Sequence, residues 1–146
     1  MLQLTKIFHF ETAHAILGYP GGCKNIHGHS YELHVTVSGR ETEGEYIPAP
    51  GLVFDFKELK QLVIESILKK VDHKLVLSQD YIAEHPEISL QENLVIMEAE
   101  PTAENLLIYM HRVLSSALPL TVNLAELKLY ETKDSFAKWV NRNKEL

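Results

Sequence analysis

His29-Ser30-Tyr31-Glu32-Leu33-His34-Val35-Thr36-Val37-Ser38 alternates without a break. His29, Tyr31, Leu33, Val35 and Val37 fall on one side of an extended chain; Ser30, Glu32, His34, Thr36 and Ser38 fall on the other. A period of two with one apolar side is the pattern of a half-buried antiparallel strand. Upstream, residues 2–13 alternate well enough for a first strand ending in Ala13-His14, and Gly18-Tyr19-Pro20-Gly21-Gly22 breaks the chain between the two. A hairpin-like pairing of these strands is the frame for the remaining elements.

Downstream, Asp55 is a candidate helix cap with Glu58 three residues on, and Leu59, Leu62, Val63 and Ile67 recur at helical spacing, predicting a helix from about Phe56 to Lys70. A second helix is expected from Thr102, with Glu104 in its first turn and Leu106, Leu107, Met110, Val113 and Leu114 along it, until Pro119 ends it. Residues 123–131 alternate again, Ala125, Leu127, Leu129 and Glu131 sharing a face, and 136–140 read as a short last strand. The order ββααββ predicts an α+β fold: a four-stranded antiparallel sheet with two helices packed on one face. Residues 77–100 show no clear period; a short extra helix or strand would fit there.

Composition narrows the class. A chain of 146 residues reads as one domain over 1–146. A net charge of −6 argues against a nucleic-acid partner, which requires a basic face, but leaves room for one phosphorylated small molecule. The N-terminus lacks the basic and apolar regions of a signal peptide, and no run approaches the ~18 apolar residues of a membrane span. The lone Cys23 forms no intrachain disulfide, so a cytoplasmic location is expected.

Eight histidines stand in the chain, and their placement matters more than their number. His27-Gly28-His29 sets two imidazoles on one side of the second strand, and the hairpin brings His14 beside them. Three converging imidazoles with an open position form the ligand set of a catalytic zinc. An isolated His-x-His is often just two surface histidines. Here His29 heads an apolar face and needs a partner to offset its desolvation, either a metal or a backbone carbonyl. Cys23, four residues before His27, has three readings: a metal ligand, a thiolate base favoured by a neighbouring cation, or a small buried hydrophobe. Asp72-His73 fits a general acid/base pair or a helix-end cap. Glu131 ends an apolar strand face, where it either reaches water or accepts two parallel hydrogen bonds from a flat heterocycle. His9, His34, His85 and His111 have no such context and read as solvated or structural.

The segments Phe10-Glu11-Thr12-Ala13-His14, Cys23-Lys24-Asn25-Ile26-His27-Gly28-His29, Val53-Phe54-Asp55-Phe56, Val71-Asp72-His73-Lys74, Pro101-Thr102-Ala103-Glu104-Asn105 and Glu131-Thr132 span nearly the whole chain. Together they resemble the 6-pyruvoyl tetrahydropterin synthase family, which includes the bacterial 6-carboxytetrahydropterin synthases of queuosine biosynthesis. The resemblance implies the T-fold, with trimers that join their sheets into a barrel and stack in pairs as a homohexamer. It implies a zinc-dependent lyase acting on a small-molecule pterin, 7,8-dihydroneopterin triphosphate, with zinc on His14, His27 and His29. Cys23 would abstract the proton with Asp72 and His73 as its relay. Glu131 would anchor the pterin ring near Thr102 and Glu104. Family sites lie between subunits, so Glu131 and the zinc cluster would come from different chains. Lys24, Lys74 and Lys133 are candidates for the triphosphate by proximity alone. The carboxy-forming branch, which releases acetaldehyde, is favoured; the pyruvoyl branch is the close alternative, and a zinc-dependent hydrolase or a non-catalytic pterin- or zinc-binding module is the alternative of another class.

Overall fold

The computed structural model describes residues 2–39 and 44–142. Strand β1 (Gln3–His14) pairs antiparallel with β2 (His27–Ser38) along its whole length, from Gln3 opposite Ser38 to His14 opposite His27. Helix α1 (Phe56–Val63) runs on through a π-helical turn (Ile64–Leu68) into α2 (Lys69–Val71). Then come β3 (Lys74–Ser78), α3 (Gln79–Glu84), a 3₁₀ turn (Pro86–Leu90), β4 (Leu94–Met97), α4 (Ala103–Ala117), β5 (Asn123–Thr132) and β6 (Ser135–Val140).

The expected four-stranded antiparallel sheet is corrected to a six-stranded mixed one, in the order β4-β3-β1-β2-β5-β6. The four expected strands form its antiparallel part; β3 and β4 extend it in parallel beyond β1. These two strands escaped the sequence because β3 is buried from Leu75 to Ser78 and so loses the alternation of a half-buried strand, and β4 is a four-residue edge strand too short to show a period. Lys74-Leu-Val-Leu-Ser and Leu94-Val-Ile-Met are short unbroken apolar runs. Val76 faces the large helices, while Leu75 and Leu77 pack with Ala15 and Tyr81 in a second, smaller cluster under α3. Hence the helices are not all on one face: α1 and α4 cover one side, and α3 covers the other at the β3 end.

The main core is what the periodicity predicts. Phe8, Phe10, Tyr31, Leu33, Val35 and Val37 from the hairpin, with Leu127 and Leu129 from β5, meet Leu59, Val63 and Ile67 on one helix and Leu106, Met110 and Leu114 on the other. Helices α1, α3 and α4 each start where a side chain satisfies an orphaned amide. Asp55 Oδ1 accepts from Lys57 N at 2.8 Å, Ser78 Oγ from Tyr81 N at 2.9 Å and Thr102 Oγ1 from Asn105 N at 3.2 Å. No helix among the described residues is long and apolar enough to cross a membrane.

Leu127 is fully buried, so Leu127→Ala is expected to cost about 2–5 kcal/mol in urea unfolding. Leu120→Ala, at a side chain 97% exposed, is expected to stay within about 0.5 kcal/mol. Equal losses at the two positions would contradict this account of the core.

Candidate metal and substrate site

The hairpin register places the histidines. His14 lies directly opposite His27 where β1 ends and β2 begins, and alternation returns His29 to the same side two residues later. The ring centroids of His14 and His27 are 4.6 Å apart, those of His14 and His29 5.0 Å, and those of His27 and His29 4.9 Å. One ring nitrogen from each lies within 4.8 Å of the others. Beneath them Tyr31 packs edge-on against His14 and His29, and burial pushes its hydroxyl well above the ordinary range, so it stays a neutral phenol.

Hydrogen bonding fixes which nitrogens face inward. His14 Nδ1 lies 2.7 Å from the carbonyl of Pro101, and His27 Nδ1 lies 2.7 Å from the carbonyl of Asn25. A carbonyl only accepts, so both Nδ1 atoms carry hydrogen. Burial, together with the charges of His27 and His29, lowers the pKa of His14 against the raising effects of Pro101 and Glu131, which keeps its ring neutral. That leaves Nε2 of each ring pointing inward, and the two face each other at 3.1 Å. Burial likewise lowers His29, although the nearby Glu131 works against it, and His29 Nε2 is buried with no hydrogen-bond partner among the described residues. Each ring thus turns one nitrogen toward a common point, where a shared cation could sit. The donor set fits a divalent metal.

Beside the histidines a cavity of about 370 Å³ is lined by His14, Cys23, Thr102, Glu104 and Glu131, with Tyr19 and Phe136 as its aromatic walls. Cys23 is half-buried in a 3₁₀ turn (Gly22–Lys24), and its carbonyl accepts from Ile16 N at 2.8 Å. Its sulfur is not part of the histidine group. Glu131 Oε1 lies 3.6 Å from His29 Nε2, beyond hydrogen-bond range. A single chain thus brings Glu131 to the histidine cluster, which corrects the expectation that the two come from different chains.

Asp72 and His73 are elsewhere. Asp72 Oδ1 accepts from Glu11 N at 2.9 Å and sits 2.9 Å from His73 Nδ1. His73 holds a positive φ of 59° while its own amide donates to Glu11 O at 2.6 Å. Its exposed ring lines a second recess with Glu11, Ser30, Lys74 and also His29, but without Cys23 or Glu131. Within one chain, then, the acid/base pair and Cys23 do not meet. Lys74 shares the His73 recess, while Lys24 and Lys133 are exposed and line neither space.

Sequence reasoning missed Pro101, Asn25, Tyr19 and Phe136. The first two act through backbone carbonyls, which carry no side-chain signal. Of the remaining histidines, His111 stacks on Trp139 at 4.0 Å and His34 packs on Tyr130 at 5.1 Å, in keeping with structural roles.

A metal must displace protons from imidazole, so its uptake falls at low pH. Because His14 and His29 are lowered from the ordinary value of 6.5, chelator-stripped protein is expected to take up a divalent ion down to below that pH. His27→Ala is expected to abolish uptake. Calorimetric titration across pH checks both, and full uptake by the variant would contradict the ligand set.

Comparison with known proteins agrees with this geometry. Residues 3–142 match the profile described as 6-pyruvoyl tetrahydropterin synthase. A Rickettsia typhi protein named 6-carboxy-5,6,7,8-tetrahydropterin synthase is 32% identical over 94% of this chain and 99% of its own. A Pongo abelii protein named 6-pyruvoyl tetrahydrobiopterin synthase is 34% identical over 79% of this chain and 68% of its own. The structure of Caenorhabditis elegans 6-pyruvoyl tetrahydropterin synthase superposes with a TM-score of 0.68 at 24% identity, covering 96% of this chain and 95% of that one, a likeness of fold. With a family match over almost its full length and a relative above 30% identity end to end, the chain belongs to the 6-pyruvoyl tetrahydropterin synthase family.

Proposed function

We propose that the chain is a 6-carboxy-5,6,7,8-tetrahydropterin synthase. It would convert 7,8-dihydroneopterin triphosphate, with uptake of water, to the carboxytetrahydropterin, acetaldehyde and triphosphate, as a zinc-dependent cytoplasmic lyase of queuosine biosynthesis. The observation that carries the reading is one cavity walled by an imidazole of the three-histidine cluster, a cysteine and a carboxylate. The carboxy branch is preferred because the relative bearing that name matches over nearly the whole of both chains. The higher identity of the pyruvoyl enzyme, confined to a shorter overlap, keeps the pyruvoyl product as the second reading.

Each residue has a task in this reading. Glu131, half-buried and without a hydrogen bond to His29, accepts the pterin's ring N–H and exocyclic NH₂ in two parallel bonds. Tyr19 and Phe136 offer ring faces to the flat heterocycle, and Thr102 and Glu104 border the same space. Cys23, as thiolate, takes a proton from the substrate side chain. A zinc ion held by His14, His27 and His29 supplies a Lewis acid for the side-chain oxygens. Asp72 orients His73, which returns a proton. Since His73 and its own Cys23 line different recesses, His73 would serve the Cys23 of a neighbouring copy, as in the hexamer the family resemblance implies.

Incubation of zinc-loaded protein with 7,8-dihydroneopterin triphosphate, followed by mass analysis, is expected to give the carboxylated pterin and acetaldehyde. A pyruvoyl product would replace this reading with the second, and unchanged substrate would overturn both. Cys23→Ala is expected to keep zinc and lose turnover by roughly 10²–10⁴-fold. Metal loss in that variant would move Cys23 into the ligand set.

A further inference from the structure

We propose that Glu100 is a positioning residue: its carboxylate holds the Cys23 loop in register with the histidine cluster. The inference rests on the reading of Cys23 as the proton-abstracting group.

Residues 15–26 join β1 to β2 and carry Cys23 near their far end. The segment contains Gly18, Gly21 and Gly22, with Gly18 at a φ of +76°. Besides the 3₁₀ turn at Cys23 and the packing of Ala15 and Leu17 on the smaller core, two adjacent amides confine it. Ile16 N donates to Cys23 O at 2.8 Å, closing the loop on itself, and Leu17 N donates to Glu100 Oε1 at 2.7 Å, tying the closed loop to the start of α4. A carboxylate acceptor makes the second bond charge-assisted and short.

The backbone on either side of that carboxylate is engaged as well. Glu100 O accepts from Thr102 N at 2.8 Å and from Asn105 Nδ2 at 2.9 Å, which ties Glu100 to the first turn of α4. The next carbonyl, Pro101 O, is the acceptor that orients His14. Glu100-Pro101 therefore grips three parts at one point: the loop of Cys23 through the side chain, the imidazole of His14 through one carbonyl, and the helix start bearing Thr102 and Glu104 through the other. Glu100 does not line the cavity. It acts through Leu17, not on substrate. Displacing a reacting group by about 1 Å can cost on the order of 10²-fold in rate, so loosening this tether is expected to slow chemistry more than binding.

The test compares Glu100→Ala, Glu100→Asp and Glu100→Gln in zinc-loaded protein, measuring zinc content, kcat, KM and the rate at which iodoacetamide alkylates Cys23. Gln keeps an acceptor at the same reach, Asp withdraws it by one methylene and Ala removes it. The expected result is zinc retained in all three, kcat lowered roughly 10- to 100-fold in Ala and Asp with KM changed little, near-normal kcat in Gln, and altered Cys23 alkylation only in Ala and Asp. Should Ala fail to fold, the Asp and Gln pair decides by the same criteria. Unchanged alkylation and kcat in Asp, zinc loss together with activity, or failure of Gln to rescue would each overturn the proposal. If the unaltered protein proves inactive on the pterin triphosphate, the function above fails, while the alkylation comparison still decides whether Glu100 holds the loop.

Discussion

The antiparallel pairing of β1 with β2 is the constraint from which the rest follows. It sets His14 against His27 and, by alternation, His29 beside them, while it lays Phe10, Tyr31, Leu33 and Val35 on the same side as the core. Packing and ligation therefore share one register. A slip by one residue would turn the imidazoles to the opposite side and, with them, the apolar side chains that bury the helices. The three histidines stand at one end of a strand pair that runs its whole length without a register shift.

The electrostatics of the cluster point the same way. Two carbonyls hold hydrogen on the outer nitrogens of His14 and His27, burial lowers the pKa of His14, and the inner nitrogens of the two rings face each other at 3.1 Å. Ring nitrogens that converge in this way could share one divalent ion. The sequence left a metal and a backbone carbonyl as competing partners for a buried imidazole. For His29, the imidazole in question, no carbonyl partner is seen at Nε2 among the described residues; the carbonyls of Pro101 and Asn25 hold the outer nitrogens of His14 and His27.

Much of this was legible in the residues. The 29–38 alternation, the helical spacing of Leu59, Val63 and Ile67, and the caps at Asp55 and Thr102 all rest on local rules that the fold obeys. What stayed hidden depended on long-range packing. Strand β3 is buried along most of its length and β4 has only four residues, so neither shows a period, and the site's outer ties, Pro101 to His14 and Glu100 to Leu17, span more than 80 residues of chain. Cys23 and Glu131 were singled out for chemistry, but that they line one cavity is a matter of tertiary geometry. Conversely, the separation of Asp72 and His73 from Cys23 could not be read from motifs that follow one another along the chain.

X-ray absorption at the zinc edge of the loaded protein tests the central claim most directly, because it counts donors at the ion itself. Three imidazole nitrogens at about 2.0–2.1 Å, with no sulfur in the coordination sphere, is the result this account predicts. A sulfur at about 2.3 Å, or fewer than three imidazoles, would contradict it.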